Sequence, residues 1–162
     1  GEEDSSLETL LVNILKHNRL TVATAESCTG GAIASAIADV PGASQVLIGG
    51  IVCYANRIKT QELGVSEKVL NEIGAVSHET VSQMAKGCRA KMGSDIAISV
   101  SGILGPTGAT DIKPVGLVYF GIDSRLGTQT FEFKYHYGRD VNKTMAIRQA
   151  LFLVLREGSL LI

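Results

Sequence analysis

Over its first hundred residues the chain alternates short β-branched runs with stretches of helical periodicity, and that alternation restricts the fold more than any single motif. Leu7, Leu10, Leu11, Ile14 and Leu15 repeat at helical spacing, which predicts an amphipathic helix over residues about 5–17 with Ser5 or Ser6 as its cap. "LTVATA" reads as a strand. "GGAIASAIADV" reads as a helix with Ile33, Ala34, Ile37 and Ala38 on one face, ended by Pro41 and Gly42. "QVLIGGIVCYA" reads as a second strand interrupted at Gly49–Gly50. "NRIKTQELG" forms a helical turn, and "SEKVLNEIG" and "SHETVSQMAKGCRAKMG" are helices opened by serine and closed by glycine. The pattern then changes. "DIAISVSG" is a strand, and after a long loop "GLVYFGID" and "TQTFEFKYHY" are two adjacent strands, the second half-buried or at an edge. A final helix ends in "ALFLVL", apolar nearly all round, so it is expected to be deeply buried or covered by a partner subunit. Early alternation followed by two consecutive strands predicts an α/β fold: a three-layer α/β/α sandwich on a mixed sheet, as one domain across 1–162. Gly1 stands where Met is usual and is set aside from fold reasoning.

Bulk properties exclude several function classes. With 162 residues, 45% hydrophobic, 19% charged and a net charge of −1, the chain has an ordinary globular profile and no basic surplus for a nucleic-acid partner. Anion binding by a few placed arginines stays open. Cys28, Cys53 and Cys88 are odd in number and show no C-x-x-C spacing, so neither a disulfide framework nor a zinc site is expected. A reducing cytoplasm is the expected location. The opening residues carry no secretory h-region, and no apolar run approaches the roughly 20 residues of a membrane span.

The chemistry concentrates in "TAESCTGG", Thr24–Gly31, at the junction of the first strand and the next helix. Ser27 there lies outside the carboxyl end of a strand, where open α/β sheets bind ligands. Backbone N–H groups of Thr29, Gly30 and Gly31, at a helix starting near Thr29, face whatever Ser27 touches and favour an oxyanion or a phosphate. The stretch is either a nucleophile with its own oxyanion hole or a helix cap. It matches neither a Walker A loop nor a G-x-S-x-G elbow.

A serine nucleophile needs a base. His17 and His78, at a helix end and in a first turn, are expected to be solvated, and nothing local supports His136. "YANRIK" offers a Ser-Lys arrangement instead: Tyr54 and Asn56 leave the second strand and Lys59 follows one turn later. If the strands are neighbours, Ser27 and Lys59 meet. Lys59 must then be neutral, a depression of roughly three pKa units from about 10.4. The other reading of Lys59 is a solvated surface lysine. The loop "ILGPTGATDIKPVG", with no periodicity, is read as functional.

In order, "TAESCTGG", "YANRIK", "GAVS", "SVSGILGPTGATDIKPVG" and a late "GRD" resemble the CinA C-terminal domain family, over about residues 5–157. Stand-alone members of that family are nicotinamide mononucleotide (NMN) amidohydrolases. The resemblance implies an α/β/α sandwich that self-associates as a homo-oligomer. It also implies hydrolysis of the NMN carboxamide to nicotinate mononucleotide and ammonia, with no metal or cofactor. The family's serine matches Ser27 and its lysine Lys59, with Tyr54 and Asn56 positioning lysine or substrate. Cys28, Thr29, Gly30 and Gly31 form the oxyanion side, and Gly105, Thr107, Gly108 and Arg139 supply phosphate and ribose contacts. Two departures touch the substrate loop. The family's A-G-P-G-G-G-T is here "LGPTGAT", so a φ > 0 at Thr107 or Ala109 would be strained, and its G-D-R is here "YGRD". A mechanistic variant makes Cys28 the nucleophile, helped by Glu26 and Lys59. The alternative function is a non-catalytic nucleotide-binding module of the competence/damage-inducible CinA type.

Overall fold

The computed structural model describes residues 6–162; Gly1–Ser5, and with them Ser5 as a cap, lie outside the described residues. In chain order the elements are α1 (Leu7–His17), β1 (Val22–Glu26), α2 (Ala32–Ala38), β2 (Leu47–Val52), α3 (Asn56–Leu63), α4 (Glu67–Glu72), α5 (His78–Met92), β3 (Ile96–Gly102), β4 (Leu117–Ser124), β5 (Gly127–Lys134) and α6 (Arg139–Leu160). Capping serines set three of the helix starts: Ser6, Ser66 and Ser77 accept hydrogen bonds from the amides of Thr9, Val69 and Thr80.

The five strands form one mixed sheet in the order β2-β1-β3-β4-β5. β1 pairs parallel with both β2 and β3, whereas β3–β4 and β4–β5 are antiparallel. α1, α2 and α6 cover one face over a core of Leu11, Leu15, Ile33, Ile98, Phe120 and Val154; α3, α4 and α5 cover the other over Leu63, Leu70, Val81, Met84 and Cys88. This is the α/β/α sandwich the sequence predicts. The chain moves from β1 outward to β2 through α2, then back past β1 to β3 through α3–α5. The strand order therefore reverses at the β1/β3 junction, where a ligand crevice is expected above the carboxyl ends.

Three local expectations change. β2 is not interrupted at Gly49–Gly50 but runs straight through, because Gly50 lies against Thr24 Oγ1 and any Cβ there would overlap it. α2 begins at Ala32 rather than near Thr29, because Gly30 and Gly31 both adopt positive φ (61° and 100°) and form a turn ahead of the helix. The last helix is deeply buried on one side only: Leu151, Leu153 and Val154 are buried, while the apolar Phe152 on the opposite face is 53% exposed. Among the described residues no helix is long and apolar enough to cross a membrane.

Candidate active site

Ser27 follows the last residue of β1, and the ladder on both sides extends past the strand end to hold it. The Ser27 amide donates to the Val100 carbonyl (3.1 Å), and the Glu26 carbonyl accepts from Cys53 N–H (2.9 Å). Backbone at this position is therefore as fixed as a central strand. Its side chain points to the α3 face and meets Lys59.

Lys59 is 1% exposed. Its Nζ lies 3.1 Å from Ser27 Oγ, 2.8 Å from the Cys53 carbonyl and 3.1 Å from the Tyr54 carbonyl. A neutral amine has two hydrogens and one lone pair. Two carbonyls that can only accept leave that lone pair for the Ser27 hydroxyl. Burial pushes the Lys59 ammonium below its usual range, and among the described residues no carboxylate contacts Nζ to restore it. The solvated-lysine reading is thus excluded.

Tyr54 contributes its backbone carbonyl to Lys59, while its ring is 61% exposed and makes no hydrogen bond among the described residues. Asn56 opens α3 one turn before Lys59 and lines a cleft of about 300 Å³ with Arg57, Thr60, Glu67, Leu70 and Asn71.

Cys28 sits in the apolar core beneath α2. Burial raises its thiol to about 12, against the pull of the Cys28 and Gly102 amides and of Lys59. A helix-terminus effect that would activate it is outweighed, so the thiol stays protonated and makes a poor nucleophile at neutral pH.

The amides around Ser27 are partly spoken for. Gly30 N–H donates to the Ser27 carbonyl (3.1 Å) and Ala32 N–H to the Thr29 carbonyl (3.1 Å), whereas the Thr29 and Gly31 amides bond to nothing among the described residues. Of the predicted oxyanion donors, Gly30 is therefore removed and Thr29 and Gly31 stay available. Thr29 does not cap α2 either. Glu26 does so, a residue that sequence reasoning raised only as a helper to Cys28.

The long loop closes on itself through Ile103 N–H to the Leu117 carbonyl (2.9 Å) and Gly116 N–H to the Ile103 carbonyl (2.6 Å). The start of α6 ties it down. Arg139 Nη1 donates to the Gly105 carbonyl (2.8 Å), and fully buried Asn142 donates to the carbonyls of Leu104 (3.0 Å) and Tyr137 (2.9 Å). Asn142, which the sequence reading passed over, is thus a fastening of this loop. Gly105, Gly108 and Gly116 adopt positive φ, but Thr107 and Ala109 do not; the departures from the family loop introduce no backbone strain. Thr107 and Gly108 are exposed. His78 is not simply solvated: its Nδ1 pairs with Thr130 Oγ1 at 2.8 Å and its ring packs edge-on against Tyr119. Among the described residues no group of three His, Cys, Asp or Glu is placed to hold a metal ion.

A family model, the CinA C-terminal domain, matches residues 4–157. The chain belongs to the CinA C-terminal domain family. It is 46% identical over 152 residues, 94% of its length, to a CinA-like protein of Kosmotoga olearia, of which it covers 36%. It is 42% identical over 156 residues, 96% of its length, to a CinA-like protein of Pseudothermotoga lettingae, covering 38% of that protein. The chain thus spans little more than a third of the length of the curated relatives it matches. Among solved structures, the competence/damage inducible protein CihA from Agrobacterium tumefaciens is 37% identical with a TM-score of 0.89, over 93% of this chain and 94% of that one. A CinA superfamily protein from Klebsiella pneumoniae is 29% identical with a TM-score of 0.90, over 94% and 96%. In this CinA-family domain the Ser27–Lys59 pair stands where the strand order reverses.

Proposed function

We propose that this CinA-family domain hydrolyses the carboxamide of nicotinamide mononucleotide by a Ser-Lys mechanism. The observation that carries the reading is buried Lys59, its Nζ 3.1 Å from Ser27 Oγ with two carbonyls as its other partners. A lysine at its ordinary pKa of about 10.4 is neutral in only about one molecule in 2,500 at pH 7, so burial at Lys59 is what makes a base available.

Ser27 Oγ attacks the carboxamide carbon as its proton passes to Lys59 Nζ. The carbonyl oxygen, now negative, takes the free amides of Thr29 and Gly31. Lys59 returns the proton to the nitrogen, the C–N bond breaks, and ammonia leaves an ester on Ser27. Water, deprotonated by Lys59, then releases the carboxylate and restores the serine. Arg139 keeps guanidinium donors beyond the one spent on Gly105, and with the exposed Thr107–Gly108 segment it forms the phosphate and ribose side. Self-association as a homo-oligomer belongs to the same reading and is measured by sedimentation.

The test is ammonia release from NMN by the parent chain and by Ser27→Ala. Turnover by the parent and none by the variant is expected; equal rates would sink the mechanism. The relatives' greater length favours a second reading, a nucleotide-binding module within a larger protein. Calorimetric binding of NMN without ammonia release would select it.

A further inference from the structure

Glu26 is 1% exposed and faces away from Lys59, toward α2. Its carboxylate collects three donors from the segment that follows it. Oε1 accepts the Thr29 hydroxyl (2.6 Å) and the Ile33 amide (2.8 Å), and Oε2 accepts the Ala34 amide (3.0 Å). No cation lies among these partners; the charge is held by hydrogen bonds and the positive end of a helix. A buried carboxylate is costly where a neutral cap would serve, because α2 needs only acceptors at its first turn. What Glu26 adds is reach: a single side chain fastens the end of β1 to Thr29 and to the first turn of α2. Ser27, Cys28, Gly30 and Gly31 lie inside that bracket, and Gly30 and Gly31 are the residues whose backbone most needs restraint.

We propose that Glu26 is a positioning residue: by clamping Thr29 and the first turn of α2 it holds the Ser27–Gly31 turn in the one shape that sets Ser27 Oγ against Lys59 and leaves the Thr29 and Gly31 amides open. The clamp also uses up the α2 amides that an anion would otherwise take, so no substrate phosphate binds at that helix end.

The inference rests on the amidohydrolase reading, and its test separates the two. Glu26→Gln keeps size and the acceptor for Thr29 and Ile33 but turns an N–H toward the Ala34 amide. Ammonia release from NMN by folded Glu26→Gln is expected to fall about 100-fold in kcat, the cost of a misplacement near 1 Å, with KM within about threefold. The midpoint of the acid limb of its pH profile stays put, because Lys59 is not touched. Thr29→Val, which removes the hydroxyl that Glu26 accepts, loses at least about tenfold in kcat. In parallel, the rate at which a fluorophosphonate labels Ser27 is compared, since it reads nucleophile and amides without assuming the amide substrate. Unchanged kcat per folded molecule and unchanged labelling in Glu26→Gln overturn the proposal. So does a shifted acid limb, which would make Glu26 an electrostatic partner of Lys59. Slower labelling in Glu26→Gln with no NMN turnover by the parent supports the clamp and removes NMN. A parent chain that neither labels nor turns over NMN overturns both.

Discussion

Two adjacent nucleophiles, Ser27 and Cys28, point to opposite faces of the sheet, and their surroundings decide between them. Ser27 faces a lysine that burial drives toward neutrality; Cys28 faces an apolar core that drives its thiol to about 12. Cys28→Ala is therefore expected to keep kcat within about threefold and to lose about 1 kcal/mol of stability from the small void. Ser27→Ala loses at least about 1,000-fold in the same ammonia assay. Lys59→Arg loses as much, because a guanidinium cannot deprotonate near neutrality. Because Lys59 works as the free amine and its pKa lies below the ordinary lysine value, activity rises with pH through that lowered pKa and is lost on acidification. A kcat with no acid limb anywhere the chain stays folded would remove Lys59 as the base. Much of this was legible in the sequence, since Ser27 follows the first strand and Lys59 lies one helical turn past the end of the second, and only adjacency of the strands was missing. The inertness of Cys28 was not, because it depends on which side of β1 faces α2. Nor was the role of Glu26, which is a contact to residues seven and eight positions on.

Among the elements, α3 matters most, because it carries Lys59, and what locates α3 is α5. Gly87 of α5 touches the Leu63 carbonyl so closely that a Cβ would overlap it. In an isolated helix Gly→Ala gains about 1 kcal/mol. Here the helices must separate instead, and overpacking costs about 1–3 kcal/mol. Gly87→Ala is expected to lower stability by about 1 kcal/mol net in urea titration and, since α3 moves with Lys59, to reduce kcat more than KM. A stabilised, fully active variant would show that α3 is located by something else. The α5 helix itself, with Ser77 and Gly93 at its ends, was plain in the sequence; the need for Gly87 was not, since periodicity does not say which residue meets a neighbouring backbone. The same holds for Asn142, whose polarity reads as a surface position until the Leu104 and Tyr137 carbonyls are seen around it. Boundaries failed where glycine intervened: Gly49–Gly50 was read as a break but permits close strand packing, and Gly30–Gly31 delays a helix that was expected earlier.

The whole molecule carries a consequence of burying all three thiols. Alternation along the chain made the sandwich legible, but the depth at which each cysteine lies depends on sheet order and helix packing. Burial raises Cys28 to about 12, Cys53 to about 11 and Cys88 to about 12, from an ordinary 9.0. Between pH 9 and 11 the folded chain keeps protons that the unfolded chain releases, so stability is fully present below pH 9 and is lost as pH rises. Lys59 acts in the opposite sense: its lowered pKa leaves it neutral when folded, and unfolding takes up a proton until about pH 10.5. Three protons released against one taken up leave about two, a slope near 3 kcal/mol per pH unit around pH 10. Tyr135, also raised to about 12 by burial, steepens the fall above pH 10. Urea titrations at pH 8, 9 and 10 are expected to show a plateau and then this drop. Cys88, on the buried face of α5, isolates one contribution. Cys88→Ala should flatten the slope by about 1 kcal/mol per pH unit while leaving kcat unchanged. Equal slopes in parent and variant would mean that the thiols titrate alike in the folded and unfolded chains.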